Sequence, residues 1–172
     1  MIENVSFIVI AKNEEFAVEK CLLSITSMPR KNCEVICVDS DSTDNTLAVM
    51  KSYISRIENL RIIQISGYMN SAIARNAGMQ YVTKPYIFFV DGDVEIFPEF
   101  LDKALGKIQK GVAVAVTGVL NEIIYNDAYT NIVVPLSPRH YFPKEMEISD
   151  GGGTFLTMRQ VTEMVGDWDE RM

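Results

Sequence analysis

The sequence predicts an α/β three-layer sandwich built on a mostly parallel central sheet, and three observations carry that prediction. Short apolar runs recur along the chain, each followed by a stretch with helical spacing. The runs are continuously apolar rather than alternating, as strands covered on both faces are. The distinctive polar residues fall at the carboxyl ends of those runs, the edge at which open parallel sheets bind ligands.

Residues 5–11 (VSFIVIA) form the first predicted strand. Asn13 offers a cap for the following helix, with Glu14 and Glu15 in its first turn and Val18, Cys21, Leu22 and Ile25 on one face. Residues 34–39 (EVICVD) are a second strand. Ser42 or Thr43 caps the next helix, whose apolar face is Leu47, Met50 and Ile54. Residues 61–65 make a third strand, and residues 71–81 a helix whose Ala and Gly allow close packing on the sheet. Residues 86–90 (YIFFV) run straight into Asp91-Gly92-Asp93. Pro98 opens a helix with Leu101, Ala104, Leu105 and Ile108 on one face, and Gly111 closes it. A fifth strand is expected over residues 112–119. Residues 121–150, with the lone His140 between Pro138 and Pro143, resist assignment; 154–158 reads as a strand and 160–165 as a short helix. Alternation of this kind, with no repeat or linker, gives one domain.

The 16 basic against 23 acidic residues leave a net charge of −7. Nucleic-acid binding needs a basic face to neutralise phosphates, and no Lys/Arg cluster supplies one. An acidic chain that handles a phosphorylated ligand must hold the phosphates with a metal ion or a few placed donors. Cys21, Cys33 and Cys37 are odd in number and lack CxxC spacing, so they read as reduced, buried thiols. No run approaches the ~20 apolar residues of a membrane span, and no signal peptide is recognisable. The chain therefore reads as cytoplasmic, with membrane association left to any longer protein. It stops at Met172 inside a charged segment, as a fragment of something longer would.

Asp91 and Asp93 are two apart, so on an extended chain both face one side, ~7 Å apart. Two such carboxylates repel unless a cation joins them, and hard ions such as Mg2+ or Mn2+ combine one or two carboxylates with substrate phosphates. The bland alternative is an acidic turn, since Asp-Gly is common in hairpins; a buried strand before and a helix after argue against it. Asp39 ends a strand three residues ahead of the helix cap, where its carboxylate could accept the imide N–H of a uracil. Arg75, flanked by small residues, is either a surface charge or a donor for phosphate or ribose. Gly151-Gly152-Gly153 is either a hinge or a wall of bare backbone at which an acceptor approaches.

Five motifs in order, FIVIAKNEE, VDSDSTDNT, SAIARNAG, FFVDGD and GGGTFLTMRQ…VGDWDE, together resemble glycosyltransferase family 2. The resemblance implies a GT-A-type, Rossmann-like fold, with residues 1–120 the nucleotide-sugar-binding half and 121–172 a partial acceptor-side region. It implies that Ala11 and Glu14 line the base and ribose pocket, with Asp39 at the base and Arg75 at the nucleotide or its phosphates. Asp91 and Asp93 become the DxD motif, Asp93 the direct ligand of a divalent cation (Mn or Mg) and Asp91 nearer the ribose. The donor is a nucleoside diphosphate-sugar, UDP ahead of GDP, and the acceptor a carbohydrate or lipid-linked hydroxyl. Transfer inverts the anomeric carbon. The family's base sits in a Glu-Asp pair beyond the GDWDE segment, which leaves Asp169, or else Glu170, as the base candidate within this chain.

Three other readings compete. A non-catalytic nucleotide-sugar-binding module, or inactive fragment, has the same cleft without turnover. A receiver-type domain also gathers acids around magnesium, but it needs a lysine after the fifth strand, where Asn121 and Glu122 stand instead. A nucleotidyltransferase needs a glycine-rich, lysine-bearing first loop that is missing.

Overall fold

The computed structural model describes residues 1–118, 123–125, 131–133 and 153–171. His140, Gly151 and Gly152 lie outside them. In chain order the elements are β1 (Ile2–Glu3), β2 (Val5–Ala11), α1 (Glu15–Ser27), β3 (Arg30–Lys31), β4 (Glu34–Ser40), α2 (Thr46–Ser52), β5 (Leu60–Ile65) and α3 (Ser71–Met79). There follow β6 (Tyr86–Asp91), α4 (Pro98–Gln109), β7 (Ala115–Thr117), β8 (Ile123–Tyr125), β9 (Asn131–Val133), β10 (Phe155–Met158) and α5 (Arg159–Val165).

The main sheet runs β5-β4-β2-β6-β10-β7. Its first four strands are mutually parallel, and β10 is antiparallel to both β6 and β7. Strand periodicity divides the core into two layers. Phe7 and Val9 of β2, Val35 and Cys37 of β4, and Phe88 and Val90 of β6 face the layer formed with α1, α2 and α4. Ile8 and Ile10, Ile36 and Val38, and Ile87 and Phe89 face the opposite layer, with Ala74 of α3. The continuous apolar runs are thus two alternating sets superposed, one for each side of a three-layer sandwich. Gly78 lets α3 sit close: a Cβ there would lie 2.7 Å from Ile8 Cγ2.

Three expectations need correction. The strand expected over 112–119 shortens to β7, an edge strand. Val112 and Val114 before it are 67% and 62% exposed, and β10 takes the buried place beside β6. On α2 the buried apolar residue is Met50, followed beyond the helix end by buried Tyr53 and Ile57, with Ile54 60% exposed; Tyr53 at i+3 from Met50 sets the phase that Ile54 was expected to set. Neither Asn13 nor Ser42 nor Thr43 caps a helix. Asn13 adopts φ 55°, a left-handed conformation that Asn tolerates, and its Oδ1 accepts from the Thr43 amide at 2.8 Å.

The three cysteines are free and buried, and burial pushes the Cys37 thiol up to about 12, where it stays protonated. Among the described residues no helix is long and apolar enough to cross a membrane.

Candidate functional site

The chain steps outward from β2 through β4 to β5, then returns to place β6 on the other side of β2. Between the carboxyl ends of β2 and β6 the connections diverge, and such a switch point opens a crevice in any parallel sheet. A cleft of about 540 Å³ lies there, lined among others by Ala11, Lys12, Glu14, Ser40, Asn70, Arg75, Asp91, Asp93 and Gly153.

Strand periodicity explains the cleft's central pair. Phe89 faces the α3 layer, so Asp91, two residues on, points to the same side and meets α3. Arg75 of α3 donates from Nη2 to Asp91 Oδ1 at 2.7 Å. Arg75 is buried at 6% exposure, and its Nε has no hydrogen-bond partner among the described residues. The Trp168 ring covers the guanidinium, 4.9 Å from Cζ to the ring centroid. Gly153 is required beneath the pair: a Cβ there would overlap Arg75 Nη2 and lie 2.5 Å from Asp91 Oδ2. What approaches this glycine is the protein's own ion pair.

β6 ends at Asp91. The Gly92 amide still donates to Ile10 O at 2.8 Å, and the Val94 amide donates to Asp91 O at 3.0 Å, closing a turn. Asp93 sits in that turn rather than on an extended strand, so the expected strand geometry gives way here. The turn nevertheless delivers Asp93, exposed, to the same cleft as Asp91. A Cβ on Gly92 would collide with Glu14 Oε2 and lie 2.8 Å from Ala11 Cβ. This glycine therefore admits the β2–α1 connection.

Glu14 faces both aspartates. Burial first, then the charges of Asp93, Asp91 and Asp44, push its carboxyl up to about 7 from 4.5. Its Oε2 is buried with no hydrogen-bond partner. Among the described residues no three His, Cys, Asp or Glu side chains converge closely enough to cage an ion alone.

Asp39 pairs in register with Ala11 and is 1% exposed; the following residue, Ser40, lines the cleft instead. One Asp39 oxygen accepts from the Ser42 amide at 3.4 Å, and Oδ1 has no partner. Asp169 stands outside the cleft lining. Both its oxygens accept from the Arg171 guanidinium at 2.8 Å, which holds its carboxyl below the usual carboxylate range. The structure thus gathers Ala11, Glu14, Arg75, Asp91 and Asp93 at one cleft, sets Asp39 behind it and leaves Asp169 apart.

Sequence reasoning missed Asn70, Asn76, Thr154 and Trp168. Asn70 caps α3, accepting from the Ile73 amide at 2.9 Å, and the Thr154 hydroxyl accepts from the Asp91 amide at 3.4 Å. Trp168 alone left a signal, as the chain's single tryptophan set in a polar run.

The family model for Glycosyl transferase family 2 matches residues 6–161. Glycosyltransferase AglE of Haloferax volcanii is 30% identical over 128 residues, 73% of this chain and 42% of that protein. The poly(ribitol-phosphate) beta-glucosyltransferase of Bacillus spizizenii is 33% identical over 102 residues, 56% of this chain and 16% of that one. Among solved structures, S. aureus TarS 1-349 in complex with UDP-GlcNAc gives a TM-score of 0.70 at 21% identity, covering 94% of this chain and 47% of its own. Mannosyltransferase PcManGT from Pyrobaculum calidifontis, in complex with GDP-Man and Mn2+, gives 0.69 at 20% identity, covering 96% and 47%. The chain spans less than half the length of each of these proteins. At such identities the structures speak to fold, and the fold they share with this chain is GT-A. With the family's pattern running from β2 into α5, the chain belongs to glycosyltransferase family 2.

Proposed function

We propose that this chain binds a nucleoside diphosphate-sugar in the cleft between β2 and β6. There it serves metal-dependent transfer of the sugar, with inversion, to a hydroxyl of a carbohydrate or lipid-linked acceptor. The observation that carries this reading is three carboxylates, Glu14, Asp91 and Asp93, lining one cleft at the sheet's switch point, with Asp91 paired to the buried Arg75 guanidinium.

A diphosphate brought to this cleft meets more negative charge than Arg75 and Lys12 can offset. The residues present fit a divalent cation. Their donors are hard carboxylate oxygens, Glu14 Oε2 is buried without a hydrogen-bond partner among the described residues, and burial first, then the neighbouring aspartate charges, raise its proton affinity. Asp93 would hold the ion with help from Asp91, and the bound ion supplies Lewis-acid stabilisation of the departing diphosphate. The Arg75 guanidinium keeps donors beyond the one given to Asp91 and directs them to phosphate oxygens. Ala11 and Glu14 form the wall toward base and ribose. Asp39 Oδ1, buried and without a hydrogen-bond partner among the described residues, accepts the ring N–H of the base, and UDP is the first candidate. Asp169 takes the acceptor's proton once Arg171 releases it; held as it is, its carboxylate is a weak base.

Calorimetric titration of the chain with UDP, and separately GDP, in manganese tests the reading. Binding of one nucleotide in the micromolar range is expected; no binding of either sinks it. One observation favours the second reading, a binding module without turnover: the bidentate hold of Arg171 on Asp169, outside the cleft. Nucleotide binding without release of UDP from UDP-sugars, in the presence of sugar acceptors, would select that module.

A further inference from the structure

Among the described residues Arg75 makes one short hydrogen bond, from Nη2 to Asp91, while its buried Nε has no partner. A single bond does not orient a planar group that rotates about its last side-chain bonds. The orienting surface comes from more than ninety residues away. The Trp168 ring lies over the guanidinium, and it is itself fixed edge-on to Phe89 of β6 at 5.5 Å and against Phe155 of β10 at 5.8 Å.

The backbone of Trp168 is held as firmly as its ring. Asn76, the residue after Arg75, accepts from the Trp168 amide at 2.9 Å and donates to the Trp168 carbonyl at 3.0 Å. The same Asn76 amide nitrogen donates to Glu170 Oε1 at 2.8 Å, and Asn70 donates to the Glu170 carbonyl at 2.8 Å. Two consecutive residues of α3 thus grip residue 168, one by its ring and one by its main chain. A stretch lacking helix or strand hydrogen bonds is thereby tied to the element that carries the cleft's guanidinium.

We propose that Trp168, locked by Asn76, is a positioning residue for Arg75. It stacks the guanidinium so that one edge meets Asp91 and the rest faces the cleft, coupling donor binding to the docking of residues 168–170. The coupling to donor rests on the nucleotide-binding reading above; the clamp itself rests on geometry alone.

The experiment uses both facts. Trp168 is the only tryptophan, so its emission reports the clamp with no ligand present. In metal-free protein, Arg75→Met is expected to change the emission maximum. Asn76→Ala is expected to move it toward that of a solvated indole and to increase acrylamide quenching. With manganese, UDP affinity is expected to fall about tenfold in Trp168→Leu and to stay within about threefold of the parent in Trp168→Phe, whose ring keeps the cation–π contact. Unchanged emission in Arg75→Met, or parent-like affinity in Trp168→Leu, overturns the proposal. So does an equal loss of affinity in the Leu and Phe variants that tracks an equal fall in melting temperature, because that is packing alone. If the parent binds neither UDP nor GDP, the donor reading fails, and the emission of Arg75→Met and Asn76→Ala decides the clamp by itself.

Discussion

At Glu14, burial and three neighbouring aspartates act in the same direction, so the carboxyl keeps its proton up to about pH 7 in the folded chain. In the unfolded chain it loses that proton near 4.5. Between these values the folded state binds more protons than the unfolded one, so this residue's contribution to stability is full below about 4.5 and is lost as pH rises through about 7. Replacing it removes the titration. In metal-free buffer, the stability of Glu14→Gln relative to the parent is expected to increase steadily as pH rises across that window, as measured by urea denaturation. A difference that stays constant with pH would show that Glu14 ionises normally. The neighbouring glycines follow the same logic of crowding: Gly92 and Gly153 are small because Glu14, Arg75 and Asp91 occupy the space their Cβ atoms would take.

Among the elements, the starts of α1 and α2 were the least legible part of the sequence, whereas α3 and α4 begin where expected, at Ser71 and Pro98. Asn13, Ser42 and Thr43 are sound cap residues in isolation, yet α1 and α2 are capped across the cleft's rim by each other's loops. The Glu15 amide donates to Asp44 Oδ2 at 3.2 Å, the Asn45 amide donates to Glu15 Oε2 at 3.0 Å, and the Glu14 amide donates to Thr46 Oγ1 at 2.7 Å. A cap drawn from ~30 residues away is invisible to a rule that searches the preceding residue. Asp44 is the shared node, since its Oδ1 also accepts from the Thr46 amide at 3.0 Å. Asp44→Ala is expected to cost about 1–2 kcal/mol, a full capping interaction or more. A cost near zero in chemical denaturation would mean that water replaces the bonds. Strands and helix faces, by contrast, were legible wherever the apolar period was long. The Leu101, Ala104, Leu105 and Ile108 face of α4 is buried as its spacing requires, whereas α2 spans only two turns and its phase was set by Tyr53, beyond its end.

For the whole molecule, the sheet order does what no single motif can: it places β2 beside β6 and so brings residues 11–14 to residues 91–93. That gathering was legible, because parallel sheets put all strand ends on one edge. Less legible was the contribution of residues 153–170, which reach the cleft through antiparallel β10 and the contacts of Trp168 and Glu170 with Asn76 and Asn70. No local period encodes such contacts. The account's central claim is that the acidic edge binds nucleotide through a cation. The most direct test is calorimetric titration of UDP into the chain with manganese, with chelator, and into Asp93→Asn with manganese. The account predicts binding in manganese, at least about tenfold weaker with chelator or in the variant. Equal affinity under all three conditions would contradict it.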